Sequence, residues 1–429
     1  MNIPQLQWRI ILLTSLGGAL ELYDFVIFAF LAPVLGALFF PSKDPLTSIL
    51  HVFIVFAIGY LARPIGGLLC GHLGDRYGRK KTLILTVMTM AVPTFLIGLL
   101  PTYAHIGVFA TLLLCLLRII QGLGIAGEVP GAIVFVTESL HTRQGLATGI
   151  IFFGLNVGIL TGALISTILT ITLPEASLMS WGWRLPFLMG GLLGVVCYYL
   201  RKQIQETPLF QALILENKRS HRPLLEVLQH HSKAILQGFC LSAFGSAFFS
   251  LYFYMPTYFT LLMNYPKNNI MIINTVSICI FACFALFFAM LSDYIPRRII
   301  ISIGCLLFLS MSVPIYYLFQ GDINYTRIIV GELIISTMAG LITGIFPYLL
   351  TEIFPTSIRY SGYALTYNLA FAIIGGLTPS ILTFWIGHSH HLMAPAYYLM
   401  LLAGICLIAV FSMKTFHLSK EMLFLGKQE

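Results

Sequence analysis

Charged side chains are scarce in this sequence: 9% of its 429 residues are Asp, Glu, Lys or Arg, whereas 58% are hydrophobic. Soluble domains are about 25% charged and about 45 to 50% apolar, so this composition cannot form a water-soluble surface. Apolar runs recur between Trp8 and Met413, and each is long enough to cross a hydrocarbon core of roughly 30 Å as a helix. Strands of a membrane barrel would show about 10 residues of alternating polarity, which these runs do not. The sequence predicts an all-α membrane protein.

Metal-binding and catalytic motifs are also missing. The eight cysteines form no Cys-x-x-Cys pair, so we expect neither a disulfide framework nor a zinc site. An intramembrane enzyme is disfavoured because no His-Glu-x-x-His or Gly-x-Ser-x-Gly motif occurs. His388, His390 and His391 lack nearby carboxylate or thiol ligands, which favours a polar outer loop over a metal site. We predict a protein that is not an enzyme and has no cofactor.

Twelve apolar runs divide into two sets of six. Their approximate ranges are 8–39, 47–70, 82–100, 106–138, 145–172, 183–202, 233–262, 270–292, 299–319, 325–351, 362–386 and 394–413. The polar stretch between the sixth and seventh runs predicts an N-terminal six-helix bundle over 1–202, a cytoplasmic linker over 203–232 and a C-terminal six-helix bundle over 233–429. The halves also resemble each other weakly: Thr137-Glu138 corresponds to Thr351-Glu352, and a shift of 214 residues places Glu332 on Arg118. This repeat is typical of transporters.

The net charge of +8 raises the question of nucleic-acid binding, but the positions of the 24 Lys and Arg residues answer it. With the N-terminus in the cytoplasm, only Lys43, Arg184, Lys267 and Arg327 fall in outer loops. Most of the others fall in inner loops, which is the positive-inside pattern of a membrane protein. The sequence therefore predicts both termini in the cytoplasm, a lipid bilayer as partner and no nucleic acid. A bacterial-type inner membrane fits this pattern.

A few ionisable residues fall within the apolar runs, where each needs a partner or a wet cavity. Glu21 and Asp24 lie three residues apart on one face of the first helix. Arg118, Gln121 and Glu128 share a face of the fourth helix, at offsets of 0, 3 and 10. We interpret Glu21, Asp24 and Glu128 as proton-coupling residues, and Arg118 as the residue that binds a solute carboxylate. The alternative is a permanent structural pair of Arg118 with Asp24 or Glu128.

Other polar and aromatic residues in the runs are candidates for solute binding, although ordinary core packing is at least as good an interpretation of the aromatic ones. They are Tyr23, Gln121, Asn156, Tyr252, Glu332, Tyr367 and Asn368.

The loop after the second run, from Gly71 to Lys81, carries closely spaced glycines and basic residues. In this loop the chain resembles the major facilitator superfamily. The resemblance implies two six-helix bundles related by a pseudo-two-fold axis, a cytoplasmic conformational latch and a protein that functions as a monomer. The latch residues are Gly71, Gly74, Asp75, Arg76, Gly78 and Arg79, with Asp293 echoing them in the second half.

Further stretches resemble the metabolite:proton symporter branch, which includes proline/betaine, 2-oxoglutarate, citrate and shikimate permeases. They are Leu20-Glu21-Leu22-Tyr23-Asp24-Phe25, Arg63-Pro64-Ile65-Gly66-Gly67, Arg118-Ile119-Ile120-Gln121-Gly122, Trp181-Gly182-Trp183-Arg184 and Glu206-Thr207-Pro208-Leu209-Phe210. The chain departs from the branch at Leu22, where Trp is usual. The resemblance implies secondary active transport by alternating access, with proton-coupled uptake of a small solute such as an organic acid, an amino acid or a betaine-like zwitterion. A proton-driven exporter of a small metabolite is the alternative.

Overall fold

The computed structural model describes residues 5–43, 45–140, 142–320, 323–389 and 391–413, and within them every regular element is helical. Twelve of these helical stretches are long and apolar enough to cross a membrane, as the sequence predicted. His390 and the tail from Lys414 onward lie outside the described residues.

Helices of the first half begin and end as follows: α1 Gln5–Phe30, α2 Ala32–Phe39, α3 Pro45–Leu61, α4 Arg63–Tyr77, α5 Arg79–Leu99, α6 Tyr103–Ile106, α7 Val108–Ser139, α8 Gln144–Thr172, α9 Glu175–Ser177, α10 Arg184–Lys202 and α11 Pro208–Leu215. Two runs of the first half that the sequence predicted as single spans are interrupted, at Leu31 and at Ala62. Each break lies two residues before a proline, Pro33 or Pro64, because a proline ring disrupts the hydrogen bonding of the preceding turn.

The remaining helices are α12 Pro223–His230, α13 Ser232–Thr257, α14 Lys267–Leu291, α15 Arg297–Leu318, α16 Tyr325–Thr343, α17 Phe346–Thr351, α18 Arg359–Ala370, α19 Gly376–Ser389 and α20 Ala394–Ser412. Wider π-helical turns occupy Leu178–Gly182, Tyr258–Leu262 and Phe371–Gly375.

The chain forms two compact units. Unit 1 comprises residues 1–135 and 154–222, and unit 2 comprises residues 136–153 and 223–429. The ends of α7 and α8 that adjoin the loop between them therefore belong to unit 2, although both helices lie in the first half of the sequence.

The core of unit 1 is aromatic and aliphatic. Trp183 is fully buried and packs edge-on against Phe39 and Phe187, with ring centroids 5.5 and 6.3 Å away. The next residue, Arg184, donates hydrogen bonds of 2.8 Å to the carbonyls of Gly98 and Leu100, which lie at the end of α5. These contacts fasten α10 to α5.

Small residues bring α8 close to α1. A Cβ atom added at Gly158 would collide with the backbone carbonyl of Ala19, and one at Gly154 would collide with the Ser15 side chain. The glycines therefore allow the backbones to approach, as small residues do in membrane helices. This contact fixes the helix that carries Glu21 and Asp24.

Candidate functional site

Asp24 lies at the centre of a buried polar cluster in unit 1. Arg118 donates from Nη1 to Asp24 Oδ2 over 3.0 Å and to Gln121 Oε1 over 2.9 Å. Gln121 Nε2 donates to Asp24 Oδ1 over 3.1 Å, and Thr94 Oγ1 donates to the same oxygen over 2.9 Å. The four side chains are each at most 4% exposed. The structure thus brings together three residues that the sequence proposed and adds Thr94, which it did not.

Arg118 uses only part of its donor capacity. Its Nε and Nη2 atoms are buried and have no hydrogen-bond partner among the described residues. The guanidinium lies 3.6 Å from the ring centre of Phe28, with Phe25 and Phe56 about 6 Å away. A planar guanidinium with two free donor nitrogens is suited to bind a carboxylate through two hydrogen bonds.

Glu21 has a different arginine. Its Oε1 lies 3.4 Å from Arg63 Nη2, and its Oε2 is buried without a hydrogen-bond partner among the described residues. The Arg63 guanidinium also lies 5.4 Å from the ring centre of Tyr60. Glu21 and Asp24 share a helix but not a partner, so each carboxylate is neutralised separately.

Glu128 pairs with Arg201 instead of Arg118. Arg201 contacts both carboxylate oxygens, one of them over 2.9 Å, and Thr86 donates to Glu128 Oε2 over 2.7 Å. Both members of the pair are at most 1% exposed. The sequence had counted Arg201 as one more cytoplasmic basic residue. A signal was available, because Arg201 falls within the sixth apolar run, 183–202, and not in the linker that follows it.

The remaining unit 1 candidates have structural contacts. The Tyr23 hydroxyl donates to the carbonyl of Pro186 over 2.8 Å, and Asn156 is buried in α8.

A small cavity borders Asp24 on the side of α5 and α10, with Thr94, Met90 and Gly190 in its lining.

In unit 2, the candidates Tyr252, Glu332, Tyr367 and Asn368 are all buried. The Tyr252 hydroxyl lies 2.8 Å from Ser336 Oγ. Asn368 Nδ2 donates to the carbonyl of Ala364, one turn earlier, and Tyr367 stacks on Phe371 with ring centroids 4.3 Å apart. The structure leaves their proposed role in solute binding as a prediction.

The predicted latch loop ends α4 and begins α5. Asp75 lies 3.2 Å from Arg79, whose Nη1 donates to the carbonyl of Gly74 over 2.9 Å. Gly78 has a φ of 118°, which favours glycine. Gly71 is buried, whereas Arg76 is exposed and lies against Tyr77.

Glu206 caps the N-terminus of α5, and the sequence did not predict this role. Its carboxylate accepts hydrogen bonds from the backbone N–H groups of Arg79 and Lys80 over 3.2 to 3.3 Å. The first turn of α5 contains no acidic residue of its own, so Glu206 supplies the negative charge that a helix N-terminus favours.

Glu206→Gln is expected to lower the free energy of unfolding by about 0.5–2 kcal/mol, because a neutral amide is a weaker acceptor for these N–H groups. Thermal unfolding in detergent measures the loss. Glu216→Gln is the matched control, since Glu216 is exposed and its ion pair with Lys218 lies at the surface. Equal melting temperatures for the two variants would contradict the capping role.

Asp293 has the corresponding role in unit 2. Its two carboxylate oxygens accept from the N–H groups of Gly145 and Leu146, over 2.7 and 2.9 Å, at the beginning of α8. Burial raises the pKa of the Asp293 carboxyl, and the hydrogen bonds from Leu146 and Gly145 oppose this rise. The sequence had identified Asp293 only as an echo of the latch loop, and its contact with the beginning of α8 was not predicted.

Twelve helices that are long and apolar enough to cross a membrane, with charged side chains paired in the interior of unit 1, define a multi-pass membrane protein. The sequence of residues 14–379 matches the family model of the Major Facilitator Superfamily. The chain therefore belongs to that superfamily. This confirms the resemblance drawn from the latch loop.

Relatives are found at 32 to 34% identity. The proline/betaine transporter of Salmonella typhimurium is 34% identical over 93% of this chain and 82% of its own length. The glycine betaine/proline/ectoine/pipecolic acid transporter OusA of Dickeya dadantii shows the same identity and coverage. The inner membrane metabolite transport protein YhjE of Escherichia coli is 32% identical over 94% of this chain and 93% of its own length.

The fold matches solved structures of the proton:xylose symporter XylE. One, bound to 6-bromo-6-deoxy-D-glucose, has a TM-score of 0.77 at 16% identity, covering 97% of this chain and 98% of XylE. A double-tryptophan XylE variant has a TM-score of 0.79 at 17% identity. At such low identity the likeness concerns the fold alone.

Proposed function

We propose that this transporter takes up a small carboxylate-bearing zwitterion, of the proline or betaine class, together with protons by alternating access. The observation that carries the proposal is the Asp24–Arg118 pair, buried at membrane depth, in which Arg118 keeps two donor nitrogens free. The names of the relatives support the solute class.

The pair suggests how proton and solute are coupled. Ionised Asp24 holds Arg118 through a charge-assisted hydrogen bond of 3.0 Å. A proton on Asp24 removes the negative charge, and Arg118 then attracts the carboxylate of a solute instead. Deprotonation restores the negative charge of Asp24 beside the guanidinium, which weakens the attraction of Arg118 for the solute carboxylate and favours release of the solute.

The surroundings of Asp24 favour this exchange of partners. Gln121 and Thr94 both donate hydrogen bonds to Asp24 Oδ1, whereas Arg118 donates to Oδ2. Asp24 therefore stays in position when Arg118 binds a solute. The small cavity beside Asp24, on the side of α5, has room for about one water molecule, through which a proton could reach the carboxyl group. Glu21 has its own arginine, so we assign the proton to Asp24.

Asp24→Asn is expected to abolish accumulation of labelled L-proline or glycine betaine driven by an inward proton gradient, because an amide cannot exchange a proton. Exchange of internal for external solute should persist, since it requires no net proton movement. Proteoliposomes with and without a pH gradient measure both activities. Glu175→Gln, at an exposed site, is the control.

Full proton-driven uptake by Asp24→Asn would overturn the assignment. Efflux from loaded vesicles under the opposite gradient, without uptake, would instead indicate an exporter.

We also propose that the protein lies in a bacterial-type inner membrane, as a monomer with both termini in the cytoplasm. The concentration of Lys and Arg in alternate loops supports this orientation.

A further inference from the structure

Glu332 differs from every other buried carboxylate of the described residues. The other six each lie within 4 Å of an arginine: Glu21 with Arg63, Asp24 with Arg118, Asp75 with Arg79, Glu128 with Arg201, Glu138 with Arg359 and Glu352 with Arg297. Glu332, in α16, is 3% exposed and has no such partner in the described part of the chain. Its Oε1 is buried without a hydrogen-bond partner there.

The groups that face Glu332 are neutral. Ser277 of α14 hydrogen-bonds its carboxyl group, and Tyr252 of α13 and Tyr316 of α15 interact with it electrostatically. Tyr254 and Tyr258 interact with Tyr316 in turn.

Arg327, the arginine of α16, is exposed and is not among the groups that act on Glu332. Within the described residues, no cation therefore compensates a charge on Glu332.

A carboxylate ion at membrane depth without a cation is strongly disfavoured, whereas the protonated acid is neutral and can donate a hydrogen bond. The neighbours of Glu332 suit the neutral acid, because hydroxyl groups can accept as well as donate.

We propose that Glu332 holds a proton in this structure and exchanges it during transport, as a second protonation site besides Asp24. The proposal rests on the proposed proton-coupled function. Release breaks the O–H bond of the carboxyl group and transfers the proton to water when α16 is exposed to one side of the membrane. Uptake from the other side forms the bond again, so that each cycle moves one proton through this residue.

Infrared spectroscopy tests the protonation state without transport. Purified wild-type protein at neutral pH is expected to show a carboxylic acid C=O band that Glu332→Gln lacks, and this band should decline as the pH is raised. Glutamine is close in size to the neutral acid, so the variant is expected to fold. Glu332→Asp should retain a protonated carboxyl band. Identical spectra for wild type and Glu332→Gln would overturn the proposal.

Reversal potentials in proteoliposomes then test the exchange. Glu332→Gln is expected to lower the proton-to-solute ratio by one proton per solute, and Glu175→Gln to leave it unchanged. An unchanged ratio in Glu332→Gln, with accumulation lost in Asp24→Asn, would overturn the second site and leave the proposed function standing. A lowered ratio in Glu332→Gln, with Asp24→Asn fully active, would instead overturn the role of Asp24.

Discussion

Arg118→Ala should abolish uptake and also destabilise the protein by about 3–5 kcal/mol, the usual cost of removing one member of a buried ion pair. The variant leaves Asp24 buried at 4% exposure without its cation, and it removes the nitrogens proposed to bind the solute. Thermal unfolding measures the stability, and solute uptake and binding measure the function.

Two further variants separate these effects. Arg118→Lys keeps a positive charge but lacks the planar pair of donors, so we expect folding close to wild type with solute affinity reduced at least about 10-fold, or about 1.4 kcal/mol. The double variant Arg118→Ala/Asp24→Ala removes both charges and should regain much of the lost stability without regaining uptake. Solute binding by this double variant at wild-type affinity would show that Arg118 is only a structural partner of Asp24.

Arg201→Met should lower the free energy of unfolding by a similar 3–5 kcal/mol, because it leaves Glu128 fully buried without a cation. The side chain of Arg201 also donates to the backbone carbonyls of Leu83 and Thr14, so the substitution loosens α10 from α5 and α1 as well. Thermal or chemical unfolding of the purified variant measures the loss.

The double variant Arg201→Met/Glu128→Gln tests the role of Glu128. We expect it to recover part of the stability, since no unpaired charge remains, and to keep proton-driven uptake. That result would remove Glu128 from the proton-coupling residues. Loss of the pH-gradient response, with solute exchange intact, would instead support the expectation drawn from the sequence.

The twelve spans were predictable because membrane thickness fixes the length of an apolar run. Arg118 and Gln121 were correctly grouped, since residues three apart on a helix are neighbours and these two are hydrogen-bonded. Glu128 was placed on the same helix face, but it pairs with Arg201 and does not join the Asp24 cluster. Ten residues of helix span roughly 15 Å, so Glu128 lies almost three turns away, where Arg201 meets it.

Contacts between residues far apart in the sequence could not be predicted from the sequence alone. Arg201 and Glu128 are 73 residues apart, and Glu206 reaches Arg79 across 127 residues. A single sequence gives helical faces but not the rotation of one helix against another, which decides these partners. For the same reason, it was not evident that Glu332 has no cation beside it among the described residues until α13, α14 and α15 were in place around α16.

Three of the buried ion pairs of unit 1, Glu21–Arg63, Asp24–Arg118 and Glu128–Arg201, have a formal sum of zero, and so does the fourth, Asp75–Arg79. When the transporter returns without solute from one side of the membrane to the other, these residues would therefore carry no net charge across. A zwitterion entering with a proton on Asp24 adds one positive charge, so uptake would be electrogenic. A membrane potential that is negative inside would then contribute about 2.3 kcal/mol per 100 mV for each such charge.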